Sequence, residues 1–440
     1  MAKDKKGLNI STKSFITAIL VIFVLMILTY GLTFIVPGGG IPFWKWILSP
    51  ILVLGSEDSV SLIAVLIFLL VIGGVFNCLD KCGLMKYMLD KITFCFGKER
   101  YKLLAFVSLF FMAMGSLVGS FEESVPLVPI VVALAIRLGW DSLVGVGMSL
   151  LAIGCGFAAG ICNPFTVGVA QELAGLPMFS GMWFRAVSFV CVYILLVGFL
   201  SYYAKRIEKP VENAAAEEAF QQNAKMDRAL TWFAGIMGAG ILAVLSSVVI
   251  TFLQDYTMII VAVAFLASGI TASVMSGRGG NIKMTFVHGM LSVLPAVLMI
   301  LMANSIKYIL VEGNILDTIL KMMIETAQTL PRWGVILFIY LIVLIMNFFI
   351  ASGSAKAFLL IPLIVPVAEA FGISAQLCIV AYAFGDGFSN IFYPTNPVLL
   401  IGLGVADVDY GKWVKWSWKF QVMNLILTSG LLLLGLAIGY

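Results

Sequence analysis

Glu122, Glu123, Lys356 and Asp386 are the candidate ionisable residues at mid-membrane depth in this 440-residue chain. Each sits among small or polar residues. The surroundings read Gly115-Ser116 and Gly119-Ser120-Phe121-Glu122-Glu123-Ser124 in one half, and Ala351-Ser352-Gly353-Ser354-Ala355-Lys356 and Gly385-Asp386-Gly387-Phe388-Ser389-Asn390 in the other. A charge held within a bilayer costs about 2.5–3.5 kcal/mol on insertion scales, so residues kept there default to binding or relay roles. The hydroxyls and amides of Ser120, Ser124, Asn163, Thr166, Ser352, Ser354, Ser389, Asn390, Thr395 and Asn396 suit ligation of a carboxylate or of Na⁺. Singly each is weak, because Ser and Thr also join membrane helices. Their clustering at four chain breaks favours a substrate and ion site. Asp386, flanked by glycines, permits close backbone approach and cation ligation; a purely structural cap is the lesser reading.

The elements that must position these groups are membrane helices. The chain is 61% hydrophobic and 11% charged, with a mean hydropathy of +1.07, where soluble domains are near half apolar and a quarter charged. Apolar runs long enough to span occur at 15–36, 59–79, 181–205, 229–253, 256–275, 284–310 and 415–438. The first follows Lys3, Lys5 and Lys6, but it is too long for a signal segment and is read as a retained span.

Two further apolar stretches, 101–138 and 333–371, are too long for one span and are interrupted midway by the small and polar clusters. Irregular backbone at membrane depth is tolerated only in protein or at a wet cavity, so both are read as re-entrant hairpins. Each is followed by a helix that breaks near its middle, 142–174 at Cys162-Asn163-Pro164 and 375–404 at Tyr393-Pro394-Thr395-Asn396-Pro397. Proline removes a helix hydrogen bond and leaves carbonyls for ligation.

The two halves repeat. An offset of 233 residues carries Asn163-Pro164 onto Asn396-Pro397, Leu127 onto Leu360, Pro129 onto Pro362, Gly139 onto Gly372 and Gly154 onto Gly387. Gly181-Met182-Trp183 and Arg185 return as Gly411-Lys412-Trp413 and Lys415 after a short slip. Two aligned Asn-Pro breaks are more than a shared apolar bias would produce. With the N-terminus inside, Lys81 to Lys102, Lys205 to Lys209, Arg278 to Lys283 and Lys412 to Lys419 all fall on the cytoplasmic side. The extra span 229–253 then turns the second repeat over. The expected architecture is an all-α integral membrane protein, an inverted-repeat transporter with two re-entrant hairpins, two broken helices and about nine full spans. Its parts are a first repeat over 1–208, a cytoplasmic linker over 209–228, the extra span, and a second repeat over 254–440, with the C-terminus extracytoplasmic. Segments 84–97 and 314–328 read as interfacial helices.

The same offset sets Glu123 opposite Lys356. The two are expected to pair when the site is empty, with a fixed ammonium standing in for a coupling cation; the plainer alternative is that Lys356 points into a wet vestibule. The seven cysteines read as buried small hydrophobes and His288 as an interfacial residue. Gly277-Arg278-Gly279-Gly280 is read as a turn. There is no metal-ligand cluster, triad spacing, nucleotide motif or nucleic-acid footprint, which makes an enzyme the least favoured class.

The tip with Glu122-Glu123, the stretch Asn163-Pro164-Phe165-Thr166-Val167-Gly168-Val169-Ala170-Gln171, the run Asn347 to Ser354, and Phe384-Gly385-Asp386-Gly387-Phe388-Ser389 resemble the YfcC family. That family is grouped with C4-dicarboxylate anaerobic carriers of the DcuC type in the ion transporter superfamily. The resemblance covers nearly the whole chain. It implies a bacterial inner membrane, a homodimer with scaffold and transport domains, and elevator-type movement. Related members bind Na⁺ and carboxylate through Ser-Asn-Thr sequences at hairpin tips. This chain lacks them and carries Lys356 where a neutral residue is expected. No cofactor is implied beyond Na⁺ or H⁺ as coupling ion. The substrate expected is a small carboxylate-bearing metabolite, C4-dicarboxylate or amino acid, with a basic amino acid antiporter as the alternative and a channel disfavoured.

Overall fold

In hydrocarbon a segment must satisfy its own backbone N–H and C=O groups, so apolar runs become helices. The structure, a computed structural model, describes residues 12–35, 40–56, 59–96, 99–117, 119, 121–177, 179–209, 222–246, 250, 256–278, 280–313, 315, 325–326 and 329–440. The side chains of Glu122, Glu123, Pro164 and Phe165 fall outside that description, as do Ser120 and most of 314–328 and of the 209–228 segment.

The regular elements among the described residues are helical. The first half carries α1 (Thr12–Thr33), α2 (Phe43–Leu52), α3 (Ser59–Lys81), α4 (Leu84–Phe96), α5 (Arg100–Leu117) and α6 (Val128–Arg137). It continues with α7 (Ser142–Val146), a π turn (Gly147–Leu151), α8 (Ala152–Ala158), a second π turn (Pro164–Gly168), α9 (Val169–Leu173) and α10 (Met182–Ile207). After it come α11 (Ala224–Ser246), α12 (Thr257–Met275), α13 (Ile282–Ser292), α14 (Leu294–Glu312), α15 (Arg332–Phe349), α16 (Gly353–Ala370), α17 (Ala375–Asn390), α18 (Pro397–Val405) and α19 (Tyr410–Ile438). A 3-10 turn over Glu122–Leu127 leads into α6.

Five of these helices (α5, α10, α15, α16 and α19) are long and apolar enough to cross a membrane. Val190 and Ile194 on α10 and Val422 and Ile426 on α19 are exposed, as lipid-facing side chains must be. Exposed Trp44, Trp183 and Trp333 lie at or near helix starts, where an amphipathic ring suits the membrane–water boundary. This is an all-α integral membrane protein.

Two elements differ from the reading of the sequence. The run 284–310 is two helices, α13 and α14, meeting at Val293, because Pro295 brings no N–H to a continuous ladder. The short helix α2 had no counterpart among the expected elements. It lays Trp46 on α1, the indole N–H donating to the Met26 carbonyl at 3.0 Å.

Positions 233 apart share local geometry. Gly139 and Gly372 both have positive φ, +85° and +69°, and both end a helix. Two residues on, Asp141 accepts from the Val144 N–H at 3.1 Å and Ser374 from the Leu377 N–H at 3.2 Å, so each caps the next helix. At the breaks, Asn163 Oδ1 accepts from the Thr166 N–H at 3.2 Å and Asn396 Oδ1 from the Val398 N–H at 2.9 Å. Asn-Pro is therefore a restart signal: an amide cap followed by a residue whose missing N–H costs nothing in a first turn.

Packing brings the interruptions together. Helix α17 runs against both α15 and α8. Gly385 makes the first contact possible, since a Cβ there would stand 2.6 Å from Val343 Cβ. Gly387 makes the second possible, since a Cβ there would strike the Ala158 backbone. The start of α16 lies against the Pro164–Gly168 turn and α9, and α18 lies against the Glu122–Leu127 turn. Each interruption thus touches a segment of the other half.

Candidate functional site

Lys356 enters from the first turn of α16 and is fully buried, as is Asp386 in α17. Their ammonium and carboxylate meet at 2.5 Å through Asp386 Oδ1. The ammonium also donates to Asn347 Oδ1 and, at 3.2 Å, to the Ile350 carbonyl. That carbonyl is available because α15 stops at Phe349 and Ile350 is extended. A buried ion pair survives only when the remaining donors and acceptors are also met. Here the surrounding amides do most of that.

Asn347, in the last turn of α15, organises the surroundings. Its Nδ2 stands 3.1 Å from the Asp386 carbonyl, 2.7 Å from Ser389 Oγ and 3.0 Å from Asn390 Oδ1. Asn390 Oδ1 also accepts from Asn396 Nδ2 at 3.0 Å, which ties the break after α17 to the pair. Ser389 Oγ donates to the Gly385 carbonyl at 2.5 Å. Among the described residues, Asp386 Oδ2 is buried with no hydrogen-bond partner, and so are the hydroxyls of Thr166 and Thr395. A Cβ built on Gly353 would come within 2.6 Å of Asp386 Oδ2 and 2.5 Å of Thr166 Cγ2, so the unsatisfied carboxylate oxygen faces the start of α16 and the other half's turn.

The structure therefore gathers Lys356, Asp386, Ser389, Asn390 and Asn396 into one network and sets Thr166 beside it. The carboxylate found on Lys356 is Asp386; the expected partner, Glu123, has a side chain outside the described residues, and so does Glu122. Ser120 lies outside them as well. Ser124 is buried and donates to the Phe121 carbonyl at 2.8 Å, closing its own turn. Asn163 caps the restart of the first break, with Gly119 packed against its amide. Ser352 is an exposed cap on α16, accepting from the Ala355 N–H at 3.4 Å, and Ser354 is half-buried. Among the described residues no group of three His, Cys, Asp or Glu side chains could hold a metal.

Two buried side chains at the breaks were not among the candidates read from the sequence. Asn347 entered only as the first residue of a run shared with the resembled family, with no role assigned to it. Arg185, almost fully buried, aims Nε and Nη2 at the Ile161 carbonyl at 3.1 and 3.0 Å, closing a bond that the first break leaves open. At the second break the Trp413 indole N–H donates to the Ile391 carbonyl at 2.9 Å. No local signal in the sequence separates such residues from interfacial anchors.

A lipid-facing exterior around an enclosed charged and polar centre, built where helices stop and restart, defines a membrane transport protein. The chain belongs to the C4-dicarboxylate anaerobic carrier (DcuC) family, whose match extends over residues 47–437. It is 29% identical over 412 residues to a protein of Escherichia coli (strain K12) described as "Putative basic amino acid antiporter YfcC", covering 88% of this chain and 80% of that one. It is 25% identical over 399 residues to an uncharacterized protein of Haemophilus influenzae, covering 86% and 76%. A crystal structure of the YdaH transporter of Alcanivorax borkumensis, described as having an unusual topology, superposes over 96% of this chain and 99% of that one at a TM-score of 0.48 and 18% identity. The family makes this a secondary-active transporter of a small solute, not an enzyme, in a bacterial inner membrane that it crosses several times.

Proposed function

We propose that the protein is an elevator-type symporter or exchanger of a small carboxylate-bearing metabolite, with amino acids, basic ones included, ahead of C4-dicarboxylates. The observation that carries this preference is the Lys356–Asp386 pair, in which Asp386 Oδ2 has no donor among the described residues. A substrate ammonium would supply that donor. Its carboxylate would lie at the start of α16, where helix N–H groups, Ser352 and Ser354 favour an anion. The name of the Escherichia coli relative fits this reading. The family description favours the second reading, in which a dicarboxylate takes Lys356 itself.

In this proposal α5–α6 and α15–α16 are re-entrant hairpins, and α7–α9 and α17–α18 are broken helices, within inverted repeats 1–208 and 254–440 joined by the linker 209–228 and the extra span 229–253. The local geometry shared by positions 233 apart supports the repeat, and the contacts between halves support a central site. The proposed assembly is a homodimer of about nine spans per chain, with a cytoplasmic N-terminus and an extracytoplasmic C-terminus. Glu122, Glu123, Ser120, Ser124, Asn163 and Thr166 would complete the site from the first half.

The test is uptake of labelled arginine by proteoliposomes, with ornithine, neutral amino acids and succinate as competitors. Saturable uptake accelerated by internal amino acid and blocked by ornithine is the expected result. Competition by succinate alone would replace it with the dicarboxylate reading, and non-saturable flux would favour a channel.

A further inference from the structure

Among the described residues the Lys356 ammonium is held by oxygen atoms only, each of a different kind. Asp386 Oδ1 contributes a carboxylate at 2.5 Å, Ile350 a backbone carbonyl at 3.2 Å, and Asn347 an amide oxygen. Carboxylate, amide and unwound-backbone oxygens are the donor set with which proteins strip water from hard cations. The Ile350 carbonyl also lies at the C-terminal end of α15, where the helix dipole favours positive charge. None of the three oxygens belongs to the helix that bears the lysine. They come from α15, the turn after it and α17, whereas the ammonium reaches them from α16. The cage is therefore defined without Lys356.

We propose that this cage is a monovalent-cation site filled permanently by the tethered ammonium of Lys356. Its charge replaces the dissociable cation that Asp386 would otherwise need, so the protein operates without Na⁺ at this position. Shortening the side chain uncovers the site. A buried Asp386 carboxylate deprived of its counter-charge is strongly disfavoured, and a small cation entering the vacated volume relieves it. A lysine serving only as a structural ion-pair partner predicts damage on truncation and no cation that repairs it.

The proposal separates from the transport reading in its test. Wild type, Lys356→Ala and Lys356→Ala/Asp386→Asn would be purified in detergent at about pH 8. Each would be melted in NaCl, KCl and choline chloride of equal ionic strength, with radioactive Na⁺ binding measured alongside. Wild type should melt identically in NaCl and choline chloride. K356A should bind Na⁺ saturably and gain several degrees in NaCl, since a ligand that binds only the folded state raises its melting temperature. The double variant should lose both responses. A Na⁺ response in wild type would overturn the proposal, and so would a folded K356A with none. If K356A is recovered only from NaCl buffers, the proposal is supported. If it fails in every salt, Lys356→Ser takes its place, and failure of both in NaCl overturns it. Na⁺-independent uptake by wild type is the coupling consequence, and this alone rests on the transport reading. A preparation that captures Na⁺ as expected in K356A, yet transports nothing in wild type, would count against that reading and not against the cage.

Discussion

Lys356, in the first turn of α16, and Asp386, midway along α17, form an ion pair of 2.5 Å in which both side chains are fully buried. The pair joins a helix start to the helix that leads into the second break. Removing two charges from water costs several kcal/mol each, and their attraction with good hydrogen bonds roughly repays it. Losing one partner leaves a buried charge.

Lys356→Met and Asp386→Asn should each destabilise the protein by about 3–5 kcal/mol in Na⁺-free buffer, because each strands a buried charge. The double variant should recover most of that loss and still fail to transport. Melting curves and uptake on the same preparations check this. Additive damage in the double variant would mean that the two groups act separately.

Asn347→Ala should cost about 1.5–3 kcal/mol, the range for a hydrogen bond to a charged group, because it removes an acceptor from the Lys356 ammonium. It also frees Ser389 and Asn390 from their common donor. Uptake should fall more than stability does, since the geometry of the pair depends on this amide. Equal uptake per folded molecule would show that Asn347 is only packing.

Gly387→Ala should destabilise by about 1–3 kcal/mol, the cost of overpacking, because its Cβ would meet the Ala158 backbone, which cannot rotate away as a side chain can. Gly198→Ala on α10 is the matched control. Nothing lies within 4 Å of its Cβ, and alanine is the better helix former. It should be neutral or gain up to about 1 kcal/mol. Comparing thermal midpoints of the two variants separates packing of α17 on α8 from a general effect on glycine.

Arg185→Met should leave the Ile161 carbonyl unsatisfied and cost about 1–3 kcal/mol. Arg185→Lys should restore only part, because an ammonium cannot offer two parallel N–H groups to one oxygen. Hydrogen exchange across residues 159–168 is the measurement. Faster exchange confined to that stretch is expected, while unchanged exchange would assign Arg185 to anchoring alone.

The sequence determined much of this protein by itself. Apolar length separated the helices, since in lipid no other open structure meets the backbone's hydrogen bonds. The small and polar clusters marked where helices α5 and α15 stop, and Asn-Pro marked both restarts, because capping is a local matter of one side chain and the next few N–H groups. The offset that relates Gly139 to Gly372 and Asn163 to Asn396 was legible for the same reason. What the tertiary structure decided was partnership. Lys356 lies thirty residues from Asp386, and the repeat offset, which sets Lys356 opposite Glu123, carries no sign of that contact. The choice depends on α17 sliding in beside α15 and α8 on the faces bared by Gly385 and Gly387. Asn347 and Arg185 were hidden likewise, because a buried polar side chain shows its purpose only when the atom it satisfies arrives from another part of the chain.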